Sequence, residues 1–129
     1  MNENSITIDK TIYECLCQEN KQLKTELQWS QQLFQLAIDN IPHSVFWKDR
    51  NSVFLGCNRN LAKDAGIGEP ENIIGKSDYD LPWTKEETQW FQECDKRIME
   101  SGVPELNIIE TQVQVNGNLV WLNTNKIPL

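Results

Sequence analysis

The sequence predicts an α+β fold in which short helices cover one face of an antiparallel sheet, preceded by a long N-terminal helix. Three observations lead to this prediction. Residues 9–40 contain no Gly or Pro and are rich in Gln, Glu, Lys and Leu, which favours one long helix. Further along, two pairs of short apolar runs are each separated by a turn-forming segment, as in β-hairpins. Between the hairpins, start and stop signals for helices follow one another closely.

Length, charge and cysteine content exclude several classes of protein. A chain of 129 residues fits one domain with an appendage. The net charge of −7 is spread along the chain without a basic patch, which argues against a nucleic-acid partner. No run of ~18 apolar residues and no signal peptide occurs, so we expect a cytoplasmic location and no membrane contact. Cys15 and Cys17 are too close for a zinc knuckle, and no metal site is predicted.

The N-terminal helix, predicted from Asp9 to Asn40, has a heptad pattern. Apolar residues recur at alternating spacings of three and four, which is typical of a coiled-coil seam. An Asn within the seam suits a parallel pair of helices, so a homodimer is predicted. The alternative is an amphipathic helix packed on its own domain. The predicted seam consists of Tyr13, Leu16, Asn20, Leu23, Leu27 and Phe34.

The first hairpin is predicted to pair Val45–Trp47 with Val53–Leu55 across a charged turn. Directly after it, Asn58 is suited to accept a hydrogen bond from the first turn of a helix. That helix is predicted over Arg59–Ala65, and Gly66 stands where a helix stop is expected.

Two single turns and a longer helix come next. Pro70–Ile74 and Asp78–Leu81 are predicted turns, with Asp78 and Asp80 interpreted as turn and cap chemistry. Thr84 to Glu87 forms a capping box at the start of a helix that Gly102 ends. On this helix Trp90, Phe91, Cys94 and Ile98 share one face, which is expected to cover the sheet.

The second hairpin is predicted over Leu106–Val115 and Leu119–Ile127, joined at Asn116-Gly117. Asn-Gly is a strong signal for a hairpin turn because both residues tolerate positive φ. The order of elements is therefore long helix, hairpin, short helices, longer helix, hairpin.

This order, with the wording IPHSVFWKDRNSVFLGCN, GKSDYDLPW and NTNKIPL, resembles the PAS domains of cyanobacterial sensor histidine kinases. The resemblance covers residues 41–129 and leaves residues 1–40 as the dimerisation segment. It implies a fifth strand between the first and fourth strands, and this final central strand is missing from the chain. Three explanations stay open: the chain is part of a longer protein, another chain supplies the strand, or Ser5–Ile8 fills the gap. Residues 1–8 are either disordered or add an extended piece to a sheet edge, and the sequence leaves both alternatives open.

The resemblance also implies a ligand pocket between the sheet and the short helices. The alternative is that the same side chains form an ordinary filled core. A slip of one residue along a strand would reverse the face that each side chain occupies. The implied lining is Phe46, Phe54, Leu61, Ile74, Tyr79, Leu81, Phe91, Ile109 and Trp121.

No residue pattern indicates catalysis. Nucleotide-binding loops, nucleophile motifs and metal-ligand sets are absent from the sequence. His43, the single histidine, follows Pro42 and lies outside any predicted helix, which disfavours phosphotransfer and haem ligation through it. Cys57 does not match the flavin-binding motif of light-sensing PAS relatives, and Cys94 is interpreted as core. The cofactor is therefore unknown, with haem and flavin unsupported.

The sequence as a whole predicts a non-enzymatic sensory and dimerisation module, the input region of a two-component sensor histidine kinase. Its expected partners are a second copy of the chain and an unidentified small-molecule ligand. Two alternatives stay open. One is a ligand-free coiled-coil interaction module, and the other is a haem- or flavin-holding redox or gas sensor.

Overall fold

A computed structural model describes the backbone of residues 3–129 and the side chains of residues 9–129. The chain divides into two compact units, Met1–Ala37 and Ile38–Leu129. The elements are helices α1 (Glu3–Asp39), α2 (Arg59–Ala65) and α3 (Lys85–Ser101), 3₁₀ helices at Pro70–Ile73 and Asp78–Asp80, and strands β1 (Phe46–Lys48), β2 (Phe54–Cys57), β3 (Glu105–Val113) and β4 (Leu119–Lys126).

The first unit consists of helix α1, which continues into the second unit for its last two residues. The predicted long helix is confirmed, but it begins at Glu3 rather than Asp9. Ser5–Ile8 is helical, so the prediction that this segment fills the gap in the sheet is wrong, as is disorder over residues 3–8. Helical propensity continues across these residues because they contain no Gly or Pro. The remaining part of that prediction, residues 1 and 2, lies outside the described residues.

The seam residues of α1 are exposed, as are all the other side chains of residues 9–34. The five apolar members are 53–69 % exposed, and Asn20 is exposed as well. A row of large apolar side chains at this exposure is unusual for a surface without a partner. Homodimerisation through the seam stays a prediction. The five apolar members are Tyr13, Leu16, Leu23, Leu27 and Phe34.

Strands β1 and β2 form the first hairpin, one residue further along the chain than predicted. Phe46 pairs with Cys57, and a bulge between Trp47 and Lys48 shifts the register. Asp49 organises the turn because its Oδ1 accepts hydrogen bonds from the backbone N–H groups of Asn51 and Val53, at 2.8 and 3.0 Å. A bulge bends its strand and re-aims the side chains that follow it. It therefore bears directly on the direction of Lys48.

Helices α2 and α3 begin and end at the predicted signals. Asn58 Oδ1 accepts from Leu61 N at the start of α2, and Gly66 closes the helix at φ 68°. Thr84 and Glu87 form the predicted capping box of α3, and Gly102 ends that helix at φ 66°. Each of these signals acts within about one helical turn of the residue that carries it, which is why the sequence predicts them well.

The second hairpin, β3 and β4, is in register from Ile108–Thr124 to Val113–Leu119. Its turn differs in type from a two-residue Asn-Gly loop. Gly117 alone takes positive φ (83°), its N–H donates to Gln114 O at 2.8 Å, and Gln114 N donates to Asn118 O at 3.0 Å. These bonds describe a three-residue loop with a glycine in the left-handed region, the next most common hairpin connection.

The two hairpins are separate two-stranded sheets, with orders β1-β2 and β3-β4. The topology agrees with a PAS-like α+β fold, and the predicted fold class is confirmed. Buried apolar side chains from β2, α2, the 3₁₀ segments and α3 form the core. They are Phe54, Cys57, Leu61, Ala62, Ala65, Ile73, Leu81, Trp83 and Phe91.

Candidate functional site: a buried ion network

Two lysines and two aspartates meet beside the core and form what we call the buried ion network: Lys48, Asp78, Asp95 and Lys126. Lys48 Nζ donates to Asp78 Oδ2 and to Asp95 Oδ2, at 2.6 Å each. Lys126 Nζ donates to Asp95 Oδ1 at 2.8 Å. All four side chains are less than 10 % exposed. The formal charges of these four side chains sum to zero, so the network itself carries no net charge.

Each member of the network comes from a different element. Lys48 is the last residue of β1, after the bulge, and Lys126 is the last residue of β4. Asp78 opens the second 3₁₀ helix, and Asp95 lies on the buried face of α3 between Phe91 and Ile98. Because Asp95 bonds to both lysines, it links the two hairpins, which share no strand pairing.

Aromatic side chains and neutral polar groups complete the surroundings. Lys48 Nζ lies 4.7 Å from the ring centroid of Phe54, and Lys126 Nζ lies 5.6 Å from that of Phe91, both within range of a cation–π interaction. Asp78 Oδ1 accepts from Trp83 Nε1 at 3.2 Å. Its Oδ2 also accepts from Gln92 Nε2 at 3.3 Å. The carboxylates therefore have directional partners in addition to the ammonium groups.

Such a network is not an efficient source of stability. Removing ions from water costs several kcal/mol each, and the mutual attraction of the ions returns this only with good geometry. A well-packed apolar core of the same volume is often equally or more stable. A role in conformational specificity is therefore our hypothesis for this network, and on that ground it is the candidate functional site of the described residues.

Helix α3 is fastened to the second hairpin by two further acids. Glu87 Oε2 accepts from Thr84 N in the capping box and from Val113 N of β3, at 3.1 and 3.0 Å. Glu110 of β3 is buried on the face of the hairpin that is turned to α3, and its Oε2 accepts from Trp90 Nε1 at 3.0 Å. Trp90 is 42 % exposed, so of the four residues predicted to cover the sheet only the other three, Phe91, Cys94 and Ile98, are buried.

The predicted pocket residues separate into two groups. Phe54, Leu61, Leu81 and Phe91 are buried in the core, and Phe46 packs against them. Whether these five contact a ligand stays a prediction. The remaining four, which are 61–72 % exposed, contradict a common pocket: Ile74, Tyr79, Ile109 and Trp121.

The face of the second hairpin explains two of these errors. Ile109 pairs with Asn123, and Trp121 pairs with Thr111, so these residues point away from α3. The face turned to α3 carries Glu110, Gln112 and Lys126 instead. Ile74 and Tyr79 are exposed for a local reason, since each sits at a 3₁₀ segment whose buried contacts are made by a neighbour, Ile73 and Asp78 respectively.

Asp78 also departs from its sequence interpretation. Asp80 is a cap residue as predicted, because its Oδ2 accepts from Ser77 N at 2.9 Å. Asp78, two residues earlier, instead turns inward and bonds to Lys48. The sequence signal that could have identified the network is weak: charged residues at the ends of two strands, together with an Asp on the apolar face of a helix.

The two buried cysteines are weakly acidic. Burial raises the pKa of the Cys57 thiol from 9.0 to about 11, with Asp39 adding to the effect. Burial also raises the pKa of the Cys94 thiol, against the opposing influence of Lys126 and Arg97. Both thiols are therefore protonated and unreactive near neutral pH.

Metal-binding groups and membrane-spanning helices are absent from the described part of the chain. No group of three or more His, Cys, Asp or Glu side chains there is placed to hold a metal ion. None of its helices combines the length and apolarity needed to cross a bilayer. One open surface depression lies on α3, lined by Glu93, Lys96, Arg97, Glu100 and Ser101.

Comparison with solved structures finds similarity to VqmA of Vibrio cholerae. VqmA bound to DPO aligns with a TM-score of 0.59 and 23 % identity, covering 70 % of this chain and 44 % of that one. The VqmA dimer in the absence of target DNA aligns with a TM-score of 0.58 and 25 % identity, covering 69 % and 40 %. A VqmA–ligand–DNA complex aligns with a TM-score of 0.59 and 23 % identity, covering 70 % of this chain and 40 % of that one. The chain thus spans less than half the length of these proteins.

These structural likenesses concern the fold. A comparison with curated protein sequences finds no significant match. The family model described as the PAS fold, by contrast, matches residues 38–129. That range coincides with the second compact unit, which holds both hairpins, the core and the buried ion network. Since the match covers well over half of the sequence, the chain belongs to the PAS fold family.

Proposed function

We propose that this chain is a sensory and dimerisation module, and that it serves as the input region of a sensor histidine kinase. The supporting observation is the combination of a PAS fold over residues 38–129 with a preceding helix whose apolar seam is exposed. A seam of this kind is stabilised when a second helix covers it. Two copies would pair through α1, and a signal in the PAS unit would shift the pairing between two states.

The dimer is tested by the mass of the protein in solution. Leu27→Glu places a charge in the seam, and Leu36→Glu places the same charge on another side of α1 at nearly equal exposure, 61 % against 59 %. We expect the wild type and Leu36→Glu to be dimers and Leu27→Glu to be a monomer, by light scattering after size-exclusion chromatography. A monomeric wild type, or equal effects of both variants, would contradict the proposal.

The identity of the effector requires a separate experiment. A second candidate is a DNA-binding regulator, favoured by the similarity to VqmA, which is described in complex with ligand and DNA. The protein, in the form its cell produces, would be incubated with γ-labelled ATP and separately with genomic DNA fragments. Labelling of a histidine supports the kinase. Sequence-specific retention of DNA supports the regulator.

We propose that the signal acts at the buried ion network. A charge displaced there would change the hydrogen bonds that connect both hairpins to α3. A thermal-shift screen of small polar molecules would compare the wild type with Lys126→Met. A ligand of the network should raise the melting temperature of the wild type more than that of the variant. If nothing shifts either protein, and the purified protein has no visible absorbance, a ligand-free interaction module becomes the better assignment.

A further inference from the structure

The side chain of Asn58 is fully buried and makes four hydrogen bonds. Its Oδ1 accepts from Val45 N at 3.0 Å and from Leu61 N at 3.2 Å. Its Nδ2 donates to Ile38 O at 2.9 Å and to His43 O at 2.7 Å. A primary amide offers two donors and two acceptor lone pairs, so the hydrogen-bonding capacity of this side chain is fully used.

These bonds place Asn58 at the ends of two helices at once. The bond from Leu61 N caps the start of α2. Ile38 O belongs to the last turn of α1, where backbone carbonyls lack partners within the helix. One amide therefore satisfies an orphan N–H of α2 and gives a second donor to Ile38 O of α1, which also accepts from Ile41 N at 3.2 Å.

A second bond joins the same two helix ends. Arg59 N, in the first turn of α2, donates to Asp39 Oδ1 at 2.7 Å. The backbone of Asn58 adds a connection to the hairpin, because its N–H donates to Val45 O at 2.8 Å. The end of α1, the approach to β1 and the start of α2 thus meet at one residue, and all of these contacts lie within the PAS unit, Ile38–Leu129.

We propose that Asn58 is the positioning residue that couples the last turn of α1 to the rest of the PAS unit. A displacement of α2 or of the first hairpin pulls on Ile38 O and His43 O through the two N–H groups of this amide. Capping of α2 depends only on the oxygen of the amide. The two roles can therefore be separated chemically. The coupling does not depend on whether α1 pairs with a second copy.

Asn58→Asp separates them, because the carboxylate keeps an acceptor for Val45 N and Leu61 N but has no N–H groups. The rate of amide hydrogen exchange, followed by NMR, can be measured separately at the end of α1 and at the start of α2. Ile41 N, which donates to Ile38 O, reports on the end of α1, and Leu61 N reports on α2. We expect exchange roughly tenfold faster at Ile41, as for the loss of one or two hydrogen bonds, and little change at Leu61.

Asn60→Asp is the matched control, since it adds the same charge two residues further along, where the side chain donates only to Ser44 Oγ at 3.3 Å. This control should leave the rate of hydrogen exchange at Ile41 N unchanged. Unchanged exchange at Ile41 in Asn58→Asp, or equal acceleration at Ile41, Val45 and Leu61, would overturn the proposal in favour of a simple helix cap. If Asn58→Asp does not fold, Asp39→Ala removes the second link; it should also speed exchange at Ile41 selectively, and an unaltered Ile41 would overturn the coupling.

Discussion

Among individual residues, Lys48 has the most demanding environment, because its ammonium group is the common partner of two buried carboxylates. Replacing it by Met leaves Asp78 with the neutral donors Trp83 and Gln92 and leaves Asp95 with Lys126 as its cationic partner. Removing one member of a buried ion pair typically costs about 3–5 kcal/mol of unfolding free energy. We expect Lys48→Met to lose an amount of this order in urea denaturation.

The matched control is the exposed pair of Arg59 and Glu69, whose side chains are both 56 % exposed at a separation of 3.1 Å. Exposed pairs contribute about 0–1 kcal/mol, so Arg59→Met should be nearly neutral. Equal losses for Lys48→Met and Arg59→Met would mean that the network is hydrated in solution.

Cys57 provides a test by pH. Its pKa in the folded protein is raised to about 11, so the folded state holds the thiol proton more tightly than the unfolded chain does. The corresponding stabilisation is complete below pH 9 and is lost as the pH rises towards 11. The wild type should therefore lose up to about 2 kcal/mol more than Cys57→Ala over this interval, in urea denaturation at fixed pH values. Parallel curves for the two proteins would contradict the raised pKa.

At the level of elements, the contact between α2 and the second hairpin depends on Gly66. Its φ of 68° is unfavourable for other residues, and a Cβ atom there would lie 2.4 Å from a methyl group of Val115. Gly66→Ala should therefore cost about 1–2 kcal/mol for the backbone conformation, with a steric penalty in addition.

Gly117→Ala is the control for this prediction. Gly117 has a similar φ of 83°, but a Cβ atom there meets nothing within 4 Å. Only the backbone penalty is expected, so thermal unfolding should rank the wild type above Gly117→Ala and Gly117→Ala above Gly66→Ala. Equal destabilisation by the two variants would show that the hairpin turn moves away from α2 and relieves the steric penalty.

Elements with local signals were predictable from the sequence, and the face of the second hairpin was not. Asn58, Thr84, Gly66 and Gly102 act on neighbouring residues, and the helix bounds follow from them. In β3 the adjacent Ile108 and Ile109 allow either face to be apolar, so periodicity does not decide which one is buried. The choice is made by distant partners of the hairpin, such as Glu87 and Asp95 on α3. The candidate site depends on the same distant contacts and could not be predicted.

For the whole molecule, the main open feature is that the two hairpins form separate two-stranded sheets. The PAS resemblance implies a further strand that bonds to both β1 and β4 and joins the two sheets into one. Unpaired strand edges reduce stability and favour association with other chains. A version extended after Leu129 by a turn and a strand, roughly 15 residues, should melt at a higher temperature and more cooperatively than the present chain. Proline substitutions within the added strand serve as the control. An unchanged melting curve would show that the gap is closed in another way.

The sharing of Asp95 between Lys48 and Lys126 has a consequence for how such a sequence can diverge. A neutral residue at one of the four network positions leaves an opposite charge buried, so a single replacement is strongly disfavoured. Replacements that remove one cation and one anion together escape this penalty, and their effects on stability are non-additive. Among descendants of a common ancestor, positions 48, 78, 95 and 126 should therefore co-vary, with loss of the charge at position 95 accompanied by loss of a lysine.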